Sequence, residues 1–246
     1  MNSANMGETI DYSGRDLEAM SWAANYHRWI LQRFQPWLGR RVVEVGAGTG
    51  SFSQLLLENN LESLSVVEPS PAMFTQLTER LNKIDSKTEI TTYPTTFRVA
   101  AEQISSAQQP DSIIYVNVLE HIEDDEAELL LMNQMLERHG RVFIFVPALS
   151  WLFGPFDEEI GHRRRYSRKE LTEKCVAAGF KVLRADYFDF FGIAPWWIKY
   201  RLLRSRHLEP GAVKMYDDYV VPFARVVESS ITPPIGKNLL VIAEKA

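Results

Sequence analysis

With 246 residues, 46% of them hydrophobic and 24% charged, the chain can bury a substantial core without disulfides or metals, and no metal site is expected. A single cysteine, Cys175, excludes a disulfide framework and suits a reducing, cytoplasmic compartment. The net charge of −5 argues against nucleic acid as a partner, because phosphate contacts leave a basic footprint, and no apolar run reaches the length of a membrane span.

Residues 1–16 read as a polar arm that lacks the apolar core of a secretion signal. Leu17 to Leu38 reads as a helix with Trp22, Tyr26, Trp29, Ile30 and Phe34 on one face, ended by Pro36 and Gly39. Arg41 to Val45 is a short strand, followed by a glycine turn and a helix over Ser51 to Asn59. Leu64 to Val67 is a second strand ending at Glu68, and Pro71 to Ile84 a helix with proline in its first turn. A third strand lies somewhere within Glu89 to Val99. Ser112 to Val118 is continuously apolar, as a strand buried on both faces should be.

Asp124 to Arg138 is expected to be helical, with acids in its first turn and Arg138 and His139 at its end, and Gly140 closing it. Val142 to Val146 is a fifth strand. Ser167 and Glu170 form a capping box that opens a helix reaching about Ala178, closed by Gly179. Lys181 to Tyr187 and Asn238 to Glu244 are the last strands. Alternation of strand and helix predicts an α/β fold, a mostly parallel sheet with helices on both faces. The roughly 50 residues between the last two strands exceed any hairpin loop, so about 188–237 is expected to be a lid insertion in one domain spanning 1–246.

Val42-Val-Glu-Val-Gly-Ala-Gly-Thr-Gly50 carries the strongest chemistry. A strand running into closely spaced glycines and then a helix lets the backbone turn sharply and a ligand lie against it. A plain tight turn would use the same glycines. A dinucleotide turn would space them Gly-x-Gly-x-x-Gly. Glu68, at the end of the second strand, can accept both hydroxyls of a ribose, in a nicotinamide enzyme as well as in other nucleoside binders.

The glycine pattern, with acidic Glu44 two residues ahead of it, resembles the first motif of class I S-adenosylmethionine (SAM)-dependent methyltransferases. Asn117-Val-Leu-Glu-His-Ile122 is similar to the segment after the fourth strand in ubiquinone-biosynthesis-like small-molecule methyltransferases. Gly140 to Pro147 is similar to that family's fifth strand, and Trp151 to Tyr166 resembles a subgroup with glycolipid- or polysaccharide-linked members. The resemblance implies a Rossmann-like sheet of seven strands with an antiparallel last strand. It implies SAM as cofactor, with S-adenosylhomocysteine as product, held by Glu44, Gly46, Ala47, Gly48, Gly50, Glu68, Pro69, Asn117 and Val118. The implied activity is methyl transfer to a small-molecule or lipid-like acceptor, with oxygen slightly ahead of nitrogen or carbon as the target.

Other residues suggest the acceptor side. His121 and His162 can take a proton from an acceptor hydroxyl, and Tyr166 offers a hydroxyl, so these three are the candidate catalytic groups. Glu120, Arg163, Arg164, Arg165 and Trp196 are the candidate substrate contacts. Consecutive arginines grip phosphate or carboxylate through paired N–H donors, although the same run could simply neutralise Asp157, Glu158 and Glu159. Aromatic and basic residues over 187–206 could pack, line a pocket or touch a membrane surface. A protein that keeps this fold and binds SAM without turnover is the competing reading.

Overall fold

The computed structural model describes residues 23–246. Trp22 and the polar arm therefore lie outside the described residues. The predicted first helix is α1, Ala24–Phe34, continued by a 3₁₀ turn over Gln35–Trp37. Seven strands follow: β1 (Arg41–Val45), β2 (Ser63–Val67), β3 (Glu89–Tyr93), β4 (Ser112–Val116), β5 (Arg141–Pro147), β6 (Phe180–Phe188) and β7 (Asn238–Lys245). They form one sheet in the order β3-β2-β1-β4-β5-β7-β6. The first five are mutually parallel, and β7 runs antiparallel to both β5 and β6.

The strands alternate between two cores with the period of two that a pleated chain imposes. On one face lie Val43, Val45, Ile113, Tyr115, Val142, Ile144, Val241 and Ala243. On the other lie Val42, Ile114, Phe143, Phe145, Leu240 and Ile242. The first face is covered by α4 (Phe97–Ala107), α5 (Asp125–Met135) and α7 (Arg168–Ala177), through Ala100, Ile104, Leu129, Met132, Leu171 and Cys175. The second is covered by α1, α2 (Ser51–Leu56) and α3 (Pro71–Leu81), through Trp29, Ile30, Phe34, Phe52, Leu56 and Leu77. Burial on both faces is why the central strands read as unbroken apolar runs.

Several boundaries shift. The third strand ends at Tyr93, and the residues beyond Thr96 form α4, a helix absent from the sequence reading. Helix α5 stops at Met135, its start capped by the Asp124 carboxylate on the Ala127 N–H at 2.9 Å. Arg138 and His139 therefore lie beyond the helix rather than on its last turn, and His139 takes a left-handed backbone (φ 64°). A short helix α6 (Pro155–Glu159) precedes α7, and the Ser167–Glu170 capping box is present at the start of α7.

Between β6 and β7 the chain forms α8 (Ile193–Trp196), a π-helical turn over Trp197–Leu202, α9 (Pro210–Met215), a second π-helical turn over Tyr216–Val220, and α10 (Val221–Ser230). Buried acids tie this connection down. Asp217 accepts the Asn25 and Tyr26 N–H groups at 2.9 and 2.8 Å. Glu228 accepts those of Asp189 and Phe190 at 3.1 and 2.9 Å. Asp189 meets Lys237 Nζ at 3.0 Å and takes a hydrogen bond from the Tyr26 hydroxyl at 3.1 Å. No helix among the described residues is long and apolar enough to cross a membrane.

Candidate active site

From β1 the chain proceeds outward to β2 and β3, then returns to place β4 on the other side of β1. At such a reversal the loops leaving the two central strands part and open a crevice. Here the crevice belongs to a cavity of about 740 Å³, within the range of small-molecule sites.

The turn after β1 forms one wall. Gly46, Gly48 and Gly50 have φ of 68°, 56° and 78°, the left-handed region that a side chain strains to enter. A Cβ on Gly46 would come within 2.4 Å of Val118 Cγ2, so the turn can lie against the loop after β4 only as glycine. Gly46 and Ala47 line the cavity, whereas Gly48 and Gly50 shape the turn behind it. The Gly48 N–H donates to Glu68 Oε2 at 2.7 Å and the Ser70 N–H to Oε1 at 2.8 Å. Each carboxylate oxygen thus keeps a lone pair for a further donor, such as a ribose hydroxyl. Burial pushes the Glu68 carboxyl above its ordinary range, against the pull of the two amides.

Glu44 points into the same space. It is 4% exposed, and its Oε2 has no hydrogen-bond partner. Burial pushes its carboxyl up to about 8, with the Ser53 hydroxyl opposing and Glu68 adding to the rise. A buried acid left without a partner is costly unless a ligand supplies one. Pro69, Asn117 and Val118 also line the cavity, and Asn117 has φ of 54°, a conformation asparagine tolerates. Sequence reasoning missed further lining groups: Tyr26 and His27 of α1, Thr96 to Arg98 at the start of α4, and Tyr216 and Lys237 of the β6–β7 connection. The Phe97, Ala100, Ala101, Ile104 spacing was the available helical signal for α4.

Another part of the wall is built by the 3₁₀ turn Leu119–His121 and the irregular run through 162–166. His121, His162, Arg163, Arg165 and Trp196 line the cavity here. His162 Nδ1 is 2.9 Å from Asp157 Oδ1, and its Nε2 is 3.6 Å from Glu120 Oε1. Glu120 sits behind His162, fully buried, with neither carboxylate oxygen hydrogen-bonded. Burial pushes its carboxyl to about 7, the neighbouring His162 opposing. His121 Nδ1 is 3.2 Å from the Gly161 carbonyl, and burial lowers its imidazole to about 4.

The three arginines separate. Arg165 is buried, donates from Nε to Asp157 Oδ1 at 2.9 Å and from Nη1 to the Ala148 carbonyl at 3.1 Å, and lies 5.0 Å from the centre of the Trp196 ring. Arg163 reaches the cavity while donating to the His121 carbonyl. Arg164 turns away: it pairs with Asp125 at 3.0 Å and donates to the Glu123 carbonyl, outside the cavity wall. Tyr166 is a second correction. Its side chain is fully buried in the core, and its hydroxyl donates to Asp125 Oδ2 at 2.8 Å, which removes it from the candidate catalytic groups.

A switch-point cavity with a glycine turn, a buried acid beside it and an acid closing the second strand, on this seven-stranded sheet, is the architecture of the class I methyltransferase fold. Residues 12–185 match the family model of a methyltransferase domain, and the chain belongs to that family. No curated protein matches it in sequence. Among solved structures it is similar to a SAM-dependent methyltransferase from Archaeoglobus fulgidus, at 16% identity and TM-score 0.60, covering 94% of this chain and 99% of that one. The N-methyltransferase NodS from Bradyrhizobium japonicum, in complex with S-adenosylhomocysteine, is similar at 14% identity and TM-score 0.56, covering 91% and 87%. Phosphoethanolamine N-methyltransferase 2 of Haemonchus contortus, in complex with SAM, is similar at 17% identity and TM-score 0.59, covering 90% and 52%. The glycine turn, the unpartnered Glu44 oxygen and the open lone pairs of Glu68 fit a cofactor of the kind held in those two complexes.

Proposed function

We propose that this protein transfers the methyl group of SAM to a small or lipid-like acceptor, with a hydroxyl oxygen as the preferred target, in the manner of the ubiquinone-biosynthesis-like group. When bound, SAM supplies an electrophilic methyl on a good leaving group. The chain's own task is then to hold, align and exclude water. Glu68 holds the ribose hydroxyls, Glu44 the amino group, and Gly46, Ala47, Asn117 and Val118 form the surface against which the cofactor lies. Gly48, Gly50 and Pro69 keep that surface in shape.

One observation carries the reading: a single cavity is lined by Glu44 and Glu68 and also by His121, His162 and Arg163. The two imidazoles favour an acceptor whose proton must leave, a hydroxyl before an amine. Arg163, Lys199 and Lys237 in the wall favour an acceptor that carries negative charge. The connection over 189–237 roofs the cavity with Trp196, Tyr200 and Tyr216, and acts as a lid. Its outward Leu202, Leu203 and Tyr219 are exposed and suit contact with a lipid surface.

The test is a pair of measurements. Gly48→Arg places a bulky side chain at a left-handed position beside Glu68. SAM affinity by calorimetry falls below detection, and methyl transfer from labelled SAM to hydroxyl-bearing acceptors disappears with it. Undiminished affinity in this variant removes the assignment of the cradle. Transfer confined to amines, with hydroxyl analogues inert, removes the oxygen preference alone.

A further inference from the structure

We propose that Glu120, His121 and His162 bind one divalent transition-metal ion, Zn²⁺ foremost, at the wall of the cavity. The sequence alone gave no metal spacing, because His162 stands far along the chain from Glu120 and His121. The fold brings one potential ligand atom from each to within 4.8 Å of the others. Two imidazoles and one carboxylate are a common donor set for a zinc ion that keeps an open position. In a tetrahedral site with bonds of about 2.0–2.1 Å, neighbouring ligand atoms stand about 3.3 Å apart. His162 Nε2 and Glu120 Oε1 are already 3.6 Å apart.

The surroundings favour an ion in two independent ways. First, Glu120 is fully buried and neither of its oxygens has a hydrogen-bond partner, which is costly for a group with nothing to hold. Second, the other nitrogen of His162 is occupied by the Asp157 carboxylate at 2.9 Å. That carboxylate is itself fixed by Arg165 and by the Gly154 N–H at 3.0 Å. A carboxylate on the far nitrogen of a ligating histidine sets its tautomer and aims the near nitrogen at the ion. His121 Nδ1 lies 3.2 Å from the Gly161 carbonyl. Both imidazoles line the cavity while Glu120 lies behind them, so the remaining position of the ion faces the space for the acceptor. There an acceptor oxygen would be a ligand. The purpose of the ion thus rests on the O-methylation reading, but its binding does not.

The competing arrangement is a protonated His162 bridging Asp157 and Glu120, which needs no ion. The experiment uses the full chain without an affinity tag, stripped with chelator and then reloaded with Zn²⁺ or Co²⁺. Metal content after gel filtration is read by mass spectrometry, Zn²⁺ affinity by calorimetry, and Co²⁺ ligation by visible absorption. The expected result is one Zn²⁺ per chain and a Co²⁺ spectrum of low coordination number. Glu120→Gln and His121→Gln each weaken Zn²⁺ by more than about 100-fold, the upper end of what loss of an orienting partner costs. Unchanged thermal melts show that each variant is folded, and the wild-type Co²⁺ spectrum reports on the site even if one is not. No retained metal in the wild type, or an affinity that both substitutions leave unchanged, overturns the proposal. SAM affinity measured on the same samples is expected to be unaltered. Its absence in the wild type would count against the methyltransferase reading without touching the metal result.

Discussion

The two acids of the cavity wall are chemically unequal. Glu68 is held by two backbone N–H groups, so its charge is partly accommodated before any ligand arrives. Glu44 is opposed by no such pair of amides: burial, only partly offset by the Ser53 hydroxyl, pushes its carboxyl to about 8. In the unliganded protein near neutrality it is mostly protonated, and a cationic amino group must displace that proton. SAM affinity should therefore rise between about pH 6 and 7.5, approaching tenfold per pH unit at the acid end. Calorimetry in buffers of contrasting ionisation heat should detect close to one proton released on binding, and none in Glu44→Gln, which binds more weakly. The sign for stability is opposite. Glu44 is raised in the folded state, so its contribution to the free protein is complete below the ordinary carboxyl range and is lost as pH climbs toward about 8. Affinity that stays flat across the acid range would remove Glu44 as the contact of the amino group. This residue was legible in the sequence because it is locked to the glycines by strand geometry. The fates of Arg164 and Tyr166 were not, since which way each residue of a run points depends on Asp125, which lies 39 to 41 positions earlier in the chain.

Elements were readable where one physical rule dominated. Runs such as Val142 to Val146, wholly buried, announce strands covered on both sides, and the Ser167–Glu170 box announces a helix start. Helix α4 escaped because β-branched threonines precede it and continue the strand-like pattern of β3 up to Thr96. The β6–β7 connection escaped in detail because its order rests on contacts distant in sequence. Asp217 is the clearest case. The first N–H groups of a helix lack intrahelical partners, and α1 has no side-chain cap of its own. Asp217, 2% exposed, supplies acceptors to two of these groups, the Asn25 and Tyr26 N–H, from the far end of the chain. Asp217→Ala would leave the buried Tyr26 donor and the half-buried Asn25 donor without this partner, costing about 2–3 kcal/mol and lowering Tm by roughly 4–12 °C for a chain of this size. Asp217→Asn retains one acceptor oxygen and should lose less than half as much. Equal melting temperatures for Asp217→Ala and the wild type would show that α1 and the connection are not coupled through this side chain.

At the scale of the molecule, the lining around Glu44 and Glu68 and that around His121 and His162 belong to one cavity because the strand order reverses between β1 and β4 and because the connection from β6 adds its own side chains to the wall. Its inner side supplies Trp196, Lys199, Tyr200, Leu208 and Tyr216 to the wall, while Leu203, Tyr219 and Ile231 on its outer side are 67–76% exposed. Arg204 and Arg206 lie in a stretch without helix over 203–209; the wall residues Lys199 and Tyr200 precede it and Leu208 falls within it. A protease needs several residues of extended chain on either side of the bond it cuts, so cleavage after Arg204 or Arg206 requires that part of the wall to detach. If detachment empties the site, a ligand that occupies the cavity opposes it by mass action. At 100 times its Kd, a ligand stabilises the closed form by about 2.7 kcal/mol, slowing cleavage by up to about 100-fold. Global melting should rise by roughly 5–10 °C under the same condition. Limited trypsin digestion with and without S-adenosylhomocysteine, with the cut sites assigned by mass spectrometry, separates the two effects. A raised Tm with unchanged cleavage at Arg204 and Arg206 would show that the connection opens without disturbing the cofactor and is not a lid. Slowing at these two sites beyond that at exposed arginines elsewhere would tie the roof to the site it covers.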